Sequence, residues 1–409
     1  MTLRTGHHRS RLAWLLLASL APAPGAFADA VTDANTRAVM IVSKVKNTPM
    51  AVRAMALAQV SVFDAVQSIG GRYAPLYAAP AAAPKASIEA AVAAATRTAL
   101  LASLPSEQEA IEAEYRAALA KLPDGAEKTD GIAAGEKAAK AVLAARANDG
   151  AEAPNTYRPR TTPGTYVPTA LPLVPHWGRR KPWLMKSGEQ FRPGPPPKLD
   201  SEIWKRDLAE SAALGGRNSS RRTPEQTEVA RFWETTSPSV YWPIARSVAS
   251  ASGDVRESSR LLAEAAVAMD DAAIAVFDAK YHYEFWRPIT AIRNAPANVR
   301  DPQWEPLVET PMHPEYPCAH CIVSSALGTV LESSIEAGSS PRLETTSPTA
   351  GGATRTWTKP ADFMREVSEA RIYAGVHYRN STEVGAAMGR RIAELARARF
   401  PRETAMKER

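Results

Sequence analysis

Five ionisable side chains in the C-terminal half of this 409-residue chain stand at spacings suited to capturing an anion. Lys280 and Arg287 lie seven residues apart, and Arg371 precedes His377 by six. Between these pairs runs His313-Pro314-Glu315-Tyr316-Pro317-Cys318-Ala319-His320-Cys321, followed by Ile322-Val323-Ser324-Ser325-Ala326-Leu327, an apolar series that reads as a helix. Pro317 suits the first turn of that helix, where a missing N–H costs nothing. Cys318, Ala319 and His320 then fall at its positive end, with free backbone N–H groups. A tetrahedral oxyanion such as phosphate or vanadate needs several donors around it. Arg forks, a Lys ammonium and helix-terminal N–H groups supply them. Three clustered cations would repel one another without an anion, so the grouping makes sense only around one. His320 and His377 add imidazoles that can ligate a metal, attack phosphorus or move a proton.

The three blocks resemble a known signature. Lys-x6-Arg-Pro, then Pro-Ser-Gly-His, then Ser-Arg-x5-His-x3-Asp marks the vanadium-dependent haloperoxidase and type-2 phosphatidic acid phosphatase superfamily. Here Lys280…Arg287-Pro288, Pro317-Cys318-Ala319-His320 and Ala370-Arg371…His377…Ser381 follow in that order. The resemblance implies an all-α fold of helical bundles with the site inside the C-terminal one. It implies that His377 is bonded to vanadium, or is the phosphate-accepting nucleophile of a phosphatase, and that His320 is the acid/base histidine. Lys280, Arg287, Arg371 and the turn at Cys318 and Ala319 would neutralise the oxygens of vanadate, and phosphate can occupy the same place. His313 stands where algal bromoperoxidases carry histidine and the fungal chloroperoxidase carries phenylalanine, which leans toward bromide. Phe277, on the same helical face as Lys280, joins His313 in the halide pocket. The leading reading is a secreted enzyme that oxidises halide with hydrogen peroxide at a histidine-bound vanadate. A soluble acid phosphatase and a non-catalytic oxyanion-binding homologue are the alternatives, so the partners expected are small molecules: peroxide, halide or a phosphoester.

Three positions depart from the signature. Cys318 replaces the serine whose hydroxyl donates to an oxyanion oxygen; a thiol is a poorer donor and its thiolate would repel the anion. A helix N-terminus beside cations lowers a thiol's pKa, which sharpens that conflict, and peroxide chemistry beside a free thiol is hazardous. Ala319 replaces glycine, and Ser381 replaces the aspartate that would orient His377, so that group must come from elsewhere. Cys318 and Cys321 are the chain's two cysteines. One helical turn puts their Cα atoms ~5 Å apart, compatible with a disulfide. A bridge there would leave the architecture standing and remove the activity. A thioredoxin-type oxidoreductase uses the same spacing, but the flanking chain lacks a βαβ pattern; a structural zinc site lacks a second ligand pair. His176 and His282 read as ordinary surface or partly buried histidines.

Composition narrows the class. The net charge is +7, and Arg4, Arg9 and Arg11 of the N-terminal stretch account for part of it, leaving +4 for the rest. That balance, with no long basic run, argues against nucleic acid. Those arginines precede Leu12-Ala13-Trp14-Leu15-Leu16-Leu17-Ala18-Ser19-Leu20, and Ala26-Phe27-Ala28 forms a small-x-small cleavage site. Residues 1–28 thus read as a signal peptide that directs the chain to the periplasm or outside the cell. No later stretch is expected to span a membrane. The sequence permits an oligomer without specifying one.

The elements that must position these groups follow in order. Residues 29–150 read as N-terminal helices: one stretch over 30–75 stopped by Gly70-Gly71, then 86–122 split at Leu104-Pro105 with Ser106 as a cap, then 130–147. Residues 151–200 hold 11 of the 33 prolines and read as an extended segment, either a linker or a wrapped loop bordering a pocket. Residues 201–409 form the C-terminal bundle. There Thr223-Pro224-Glu225-Gln226 signals a helix start, and Leu261–Lys280 is the most regular helix, with Lys280 emerging from a buried stripe. Residues 338–360 read as loop with a hairpin near Gly351-Gly352. Helices 361–377 and 383–400 close the chain, and Gly375 permits a bend that brings Arg371 and His377 together. Val62-Phe63-Asp64-Ala65 recurs as Val276-Phe277-Asp278-Ala279, a hint of paired bundles.

Overall fold

A computed structural model describes residues 29–77, 82–335 and 341–401. The expected signal peptide lies outside the described residues. The fold is all-α: thirteen α-helices and one two-stranded hairpin among the described residues. The first five are α1 (Ala30–Val42), α2 (Thr48–Ser68), α3 (Ile88–Ser103), α4 (Gln108–Leu119) and α5 (Ala126–Arg146). The stretch expected as one helix over 30–75 is two, because Asn47 caps a new start by accepting from Met50 N, with Pro49 in its first turn. Ser106 does not cap α4. It lies within a 3-10 turn, Pro105–Glu107, that leads directly into the helix.

The C-terminal helices are α6 (Glu202–Gly215), α7 (Pro224–Phe232), α8 (Pro238–Ala249), α9 (Val255–Tyr283), α10 (Pro288–Arg293), α11 (Ala319–Ser334), α12 (Pro360–Tyr373) and α13 (Arg379–Arg399). Thr223 and Gln226 close a reciprocal capping box on α7. Strands β1 (Leu343–Ser347) and β2 (Ala353–Trp357) pair antiparallel through a turn that uses Gly351 and Gly352 at positive φ.

No proline or glycine interrupts α9, which runs 29 residues and is buried on almost every face. It packs against α2, α11 and α13, so the recurring Val-Phe-Asp-Ala segments lie on two helices in contact. One apolar core runs from Val31 through α9 to Phe400. By length and hydropathy α2 could cross a membrane, but it lies mostly inside this core.

The Pro-rich segment is wrapped onto α9 by buried carboxylates. Asp271 accepts from the backbone N–H of Trp183, Leu184 and Met185, while Asp270 accepts from Trp183 Nε1 at 2.7 Å and from Arg180. Arg180 is itself buried and bridges to Asp149 at the end of the N-terminal helices. Of the two readings of 151–200, the wrapped loop is the one realised.

Candidate active site

The site is built where α9, the turn before α11 and the turn after α12 meet. Pro317 precedes α11 through a cis peptide bond with Tyr316 rather than sitting in its first turn. Cys318 is the N-cap, and its Sγ accepts from Cys321 N at 3.2 Å. Cys318 N donates to Ser381 O, whereas the N–H groups of Ala319 and His320 meet no acceptor among the described residues. Cys318 and Cys321 form a disulfide, with Cα atoms 5.3 Å apart. Both are fully buried. The sulfur thus has no proton to donate and no charge with which to repel an anion.

The second turn explains how Arg371 and His377 converge. Helix α12 ends at Tyr373, earlier than expected, and the chain reverses at Gly375 with φ +75°. A Cβ there would lie 2.3 Å from Gly215 O of α6, so the position needs glycine for space as well as for conformation. His377 lies beyond this bend, outside any helix, and its carbonyl accepts from Ser211 of α6.

Lys280, Arg287, Arg371 and His377 are all buried, at 0 to 1% exposure. Lys280 donates to the carbonyls of Pro314 and Glu315 at 2.9 and 2.7 Å. Arg287 donates to His313 O at 3.0 Å, to Val376 O at 2.7 Å and to His313 Nδ1 at 3.0 Å, with its NH1 3.3 Å from His377 Nε2. Arg371 donates to Trp233 O at 2.6 Å, and its buried Nε has no partner. None of the three cations forms an ion pair with a carboxylate among the described residues. Burial, followed for Lys280 by the nearby Arg287, holds the ammonium well below its ordinary pKa; burial brings Arg287 down to about 10, and burial together with the charge of Arg287 brings Arg371 down to about 10. Such a cluster is strained until a negative charge joins it.

Glu315 supplies the missing orienter. Its Oε1 lies 2.7 Å from His377 Nδ1 and also accepts from Tyr378 N, while Ser381 Oγ stands at 3.5 Å from the same ring nitrogen. A guanidinium only donates and an ionised carboxylate only accepts. Both neighbours therefore select one tautomer of His377, with the proton on Nδ1 and the lone pair of Nε2 facing the cations. Burial, then Arg287 and Lys280, keeps the ring neutral by pushing its pKa well below the ordinary value. His320 is treated likewise by burial and Arg371, and its Nε2 donates to Glu234 O at 3.2 Å. His313 stacks edge-on against Phe277 with centroids 5.3 Å apart.

Residues 260–404 match the family described as the VCPO second helical-bundle domain. Vanadium chloroperoxidase of Curvularia inaequalis is 28% identical over 204 residues, which is 41% of this chain and 34% of that protein. The match therefore spans about a third of that curated relative's length. The structure of the first bacterial vanadium-dependent iodoperoxidase superposes with a TM-score of 0.76 at 25% identity, covering 90% of this chain and 96% of that one. A holo-type bacterial vanadium-dependent chloroperoxidase gives 0.69 at 18% identity over 87% and 92%, a likeness of fold.

Residues 260–404 match the VCPO second helical-bundle domain, and the chain has the fold of bacterial vanadium-dependent haloperoxidases.

Within that fold the side chains present suit a tetrahedral oxyanion. The unpartnered Arg371 Nε and the N–H groups of Ala319 and His320 are three unused donors beside three cations, and the lone pair of His377 Nε2, 3.3 Å from Arg287 NH1, faces the same cluster. Sequence reasoning missed three contributors: Glu315, and the carbonyls of Trp233 and Glu234 that hold Arg371 and His320. Glu315 was visible inside the His313–Cys321 block, but no local pattern pairs it with a residue 62 positions away.

Proposed function

We propose that this chain is a vanadium-dependent haloperoxidase, with vanadate held at His377 Nε2 and hydrogen peroxide and halide as substrates. The observation that carries the reading is the Glu315–His377–Arg287 arrangement, which fixes a neutral imidazole with its lone pair toward three cations. When bound, vanadate supplies the Lewis acidity that activates peroxide toward halide. Lys280, Arg287 and Arg371 offset the charge of its oxygens, and the N–H groups of Ala319 and His320 donate to them. His320, neutral and donating through Nε2, carries a lone pair on Nδ1 that can accept the first proton of hydrogen peroxide. Phe277 and His313 form the wall proposed to receive bromide. Export to the periplasm or beyond is proposed on residues 1–28 alone.

One observation favours a second reading, an oxyanion-binding homologue without turnover: the bridge at Cys318 withdraws the donor the signature provides there. The same bridge removes the thiol that peroxide would oxidise, which favours the first. Purified protein assayed with and without orthovanadate separates the readings. Vanadate-dependent bromination under peroxide supports the haloperoxidase, phosphoester hydrolysis inhibited by vanadate supports the phosphatase, and anion binding without either reaction supports the non-catalytic homologue.

A further inference from the structure

The Pro-rich segment builds a second feature that oxyanion chemistry does not use. A cleft of about 590 Å³ opens where the 3-10 turns Trp177–Arg179 and Gly188–Phe191 pack on α9. Two glycines fix its shape. A Cβ on Gly178 would lie 2.3 Å from Asp278 Cα, and one on Gly188 would lie 2.1 Å from Gly178 O. The segment therefore meets the helix backbone to backbone, one residue past Phe277.

Charge and shape in this cleft point the same way. Arg179, Lys181 and Lys186 line it, are exposed, and have no carboxylate partner among the described residues. Its two carboxylates are already engaged: Arg192 donates to Asp278 at 2.7 Å and to Glu189 at 3.2 Å. Arg180 is neutralised beneath by Asp149 and Asp270. The lining is thus net cationic. Its apolar part is aromatic, with Phe277 and Tyr281 stacked 6.4 Å apart at 19°. Phe277 also meets His313, which accepts from Arg287, so two rings in series, Phe277 and His313, lie between the cleft and the cation cluster.

We propose that this cleft binds a small aromatic carboxylate, held by Arg179, Lys181 and Lys186 with its ring against Phe277 and Tyr281, as the organic acceptor of the oxidised halogen. Hypohalous acid would form a C–halogen bond on the ring, the ring C–H bond would break with loss of its proton, and water would leave. A volume of about 590 Å³ suits one such molecule. The aromatic floor selects a ring over a bare inorganic anion, and the rim selects a carboxylate over a neutral phenol. The acceptor role rests on the haloperoxidase reading, whereas the binding does not.

Calorimetric titration of the intact protein with 4-hydroxybenzoate tests it, in saturating inorganic phosphate so that the oxyanion site is filled. The comparators are 4-hydroxybenzyl alcohol, which lacks the charge, and cyclohexanecarboxylate, whose ring is saturated and so lacks the aromatic face. The expected result is binding of 4-hydroxybenzoate at least ~10-fold tighter than either, weakened at least ~10-fold in the double variant Arg179→Glu, Lys186→Glu. Both substituted residues are exposed, so circular dichroism and orthovanadate affinity should be unchanged. Equal binding of the alcohol, indifference to the double substitution, or displacement by phosphate would overturn the assignment. No turnover is required. A protein that binds 4-hydroxybenzoate but fails to brominate with orthovanadate would refute the haloperoxidase reading and leave the cleft assignment intact.

Discussion

Glu315 Oε1 lies 2.7 Å from His377 Nδ1, a buried contact joining the turn before α11 to the turn after α12. The superfamily signature puts the orienting acid four residues after the histidine, where this chain has Ser381. Here a carboxylate from another part of the chain reaches the ring instead. Glu315→Gln keeps the shape and an acceptor oxygen but loses the charge that favours the Nδ1–H tautomer. Orthovanadate affinity should fall roughly 10- to 100-fold, the range for removing a ligand's outer hydrogen-bond partner. Titration by vanadium NMR checks this, and an unchanged affinity would remove Glu315 from the site.

The same pair sets a pH dependence with two opposite arms. Burial raises the Glu315 carboxyl from 4.5 to about 7, although Lys280 and Arg287 pull it down. The carboxylate that orients His377 is thus complete only above about 7 and is lost as the pH falls through that value. Oxyanion affinity should drop with it. Folding stability runs the other way: a raised acid binds its proton more tightly in the folded chain, so its contribution is fully present below 4.5 and lost as pH rises toward about 7. Orthovanadate titrations and thermal midpoints from pH 5.5 to 8.5 should show both slopes in the difference between the natural chain and Glu315→Gln. Parallel slopes would count against the assignment.

Much of this was legible in the sequence for local reasons. The capping box at Thr223, the uninterrupted pattern of α9 and the glycine bend before His377 each depend on residues within a few positions of one another. What was illegible depended on distance in the chain. Glu315, Trp233 and Glu234 act through atoms that no periodicity singles out, two of them backbone carbonyls that every residue carries. Pro317 was misplaced because a proline before a helix reads equally as its first residue or as the residue before its cap.

The disulfide invites the reverse experiment. Cys318→Ser with Cys321→Ala restores a hydroxyl at the N-cap and leaves no thiol for peroxide to attack. A hydrogen bond to a charged partner contributes ~1.5–3 kcal/mol, so orthovanadate should bind ~10-fold tighter or more. The bridge closes a loop of sequence separation three, for which chain entropy suggests a stability loss of roughly 2 kcal/mol. Denaturant unfolding and vanadate titration together separate the two effects. Weaker vanadate binding in the double variant would mean that the bridge shapes the turn for the anion.

Arg371 offers the sharpest test of whether the cations exist for an anion. In Arg371→Met, Trp233 O loses its donor, a cost of ~1–3 kcal/mol, while a buried guanidinium without a carboxylate partner is removed, a gain of similar size. The stability of the free protein should therefore change little, and the informative quantity is the response to ligand. Orthovanadate at 100 times its dissociation constant stabilises a folded protein by about 2.7 kcal/mol. If Arg371→Met weakens binding ~100-fold, the same concentration yields only ~0.4 kcal/mol by the same relation. Thermal unfolding with and without orthovanadate reads the difference directly. Equal stabilisation of both proteins would mean that the anion binds elsewhere, and Arg371 would then be a structural cation holding the end of α7.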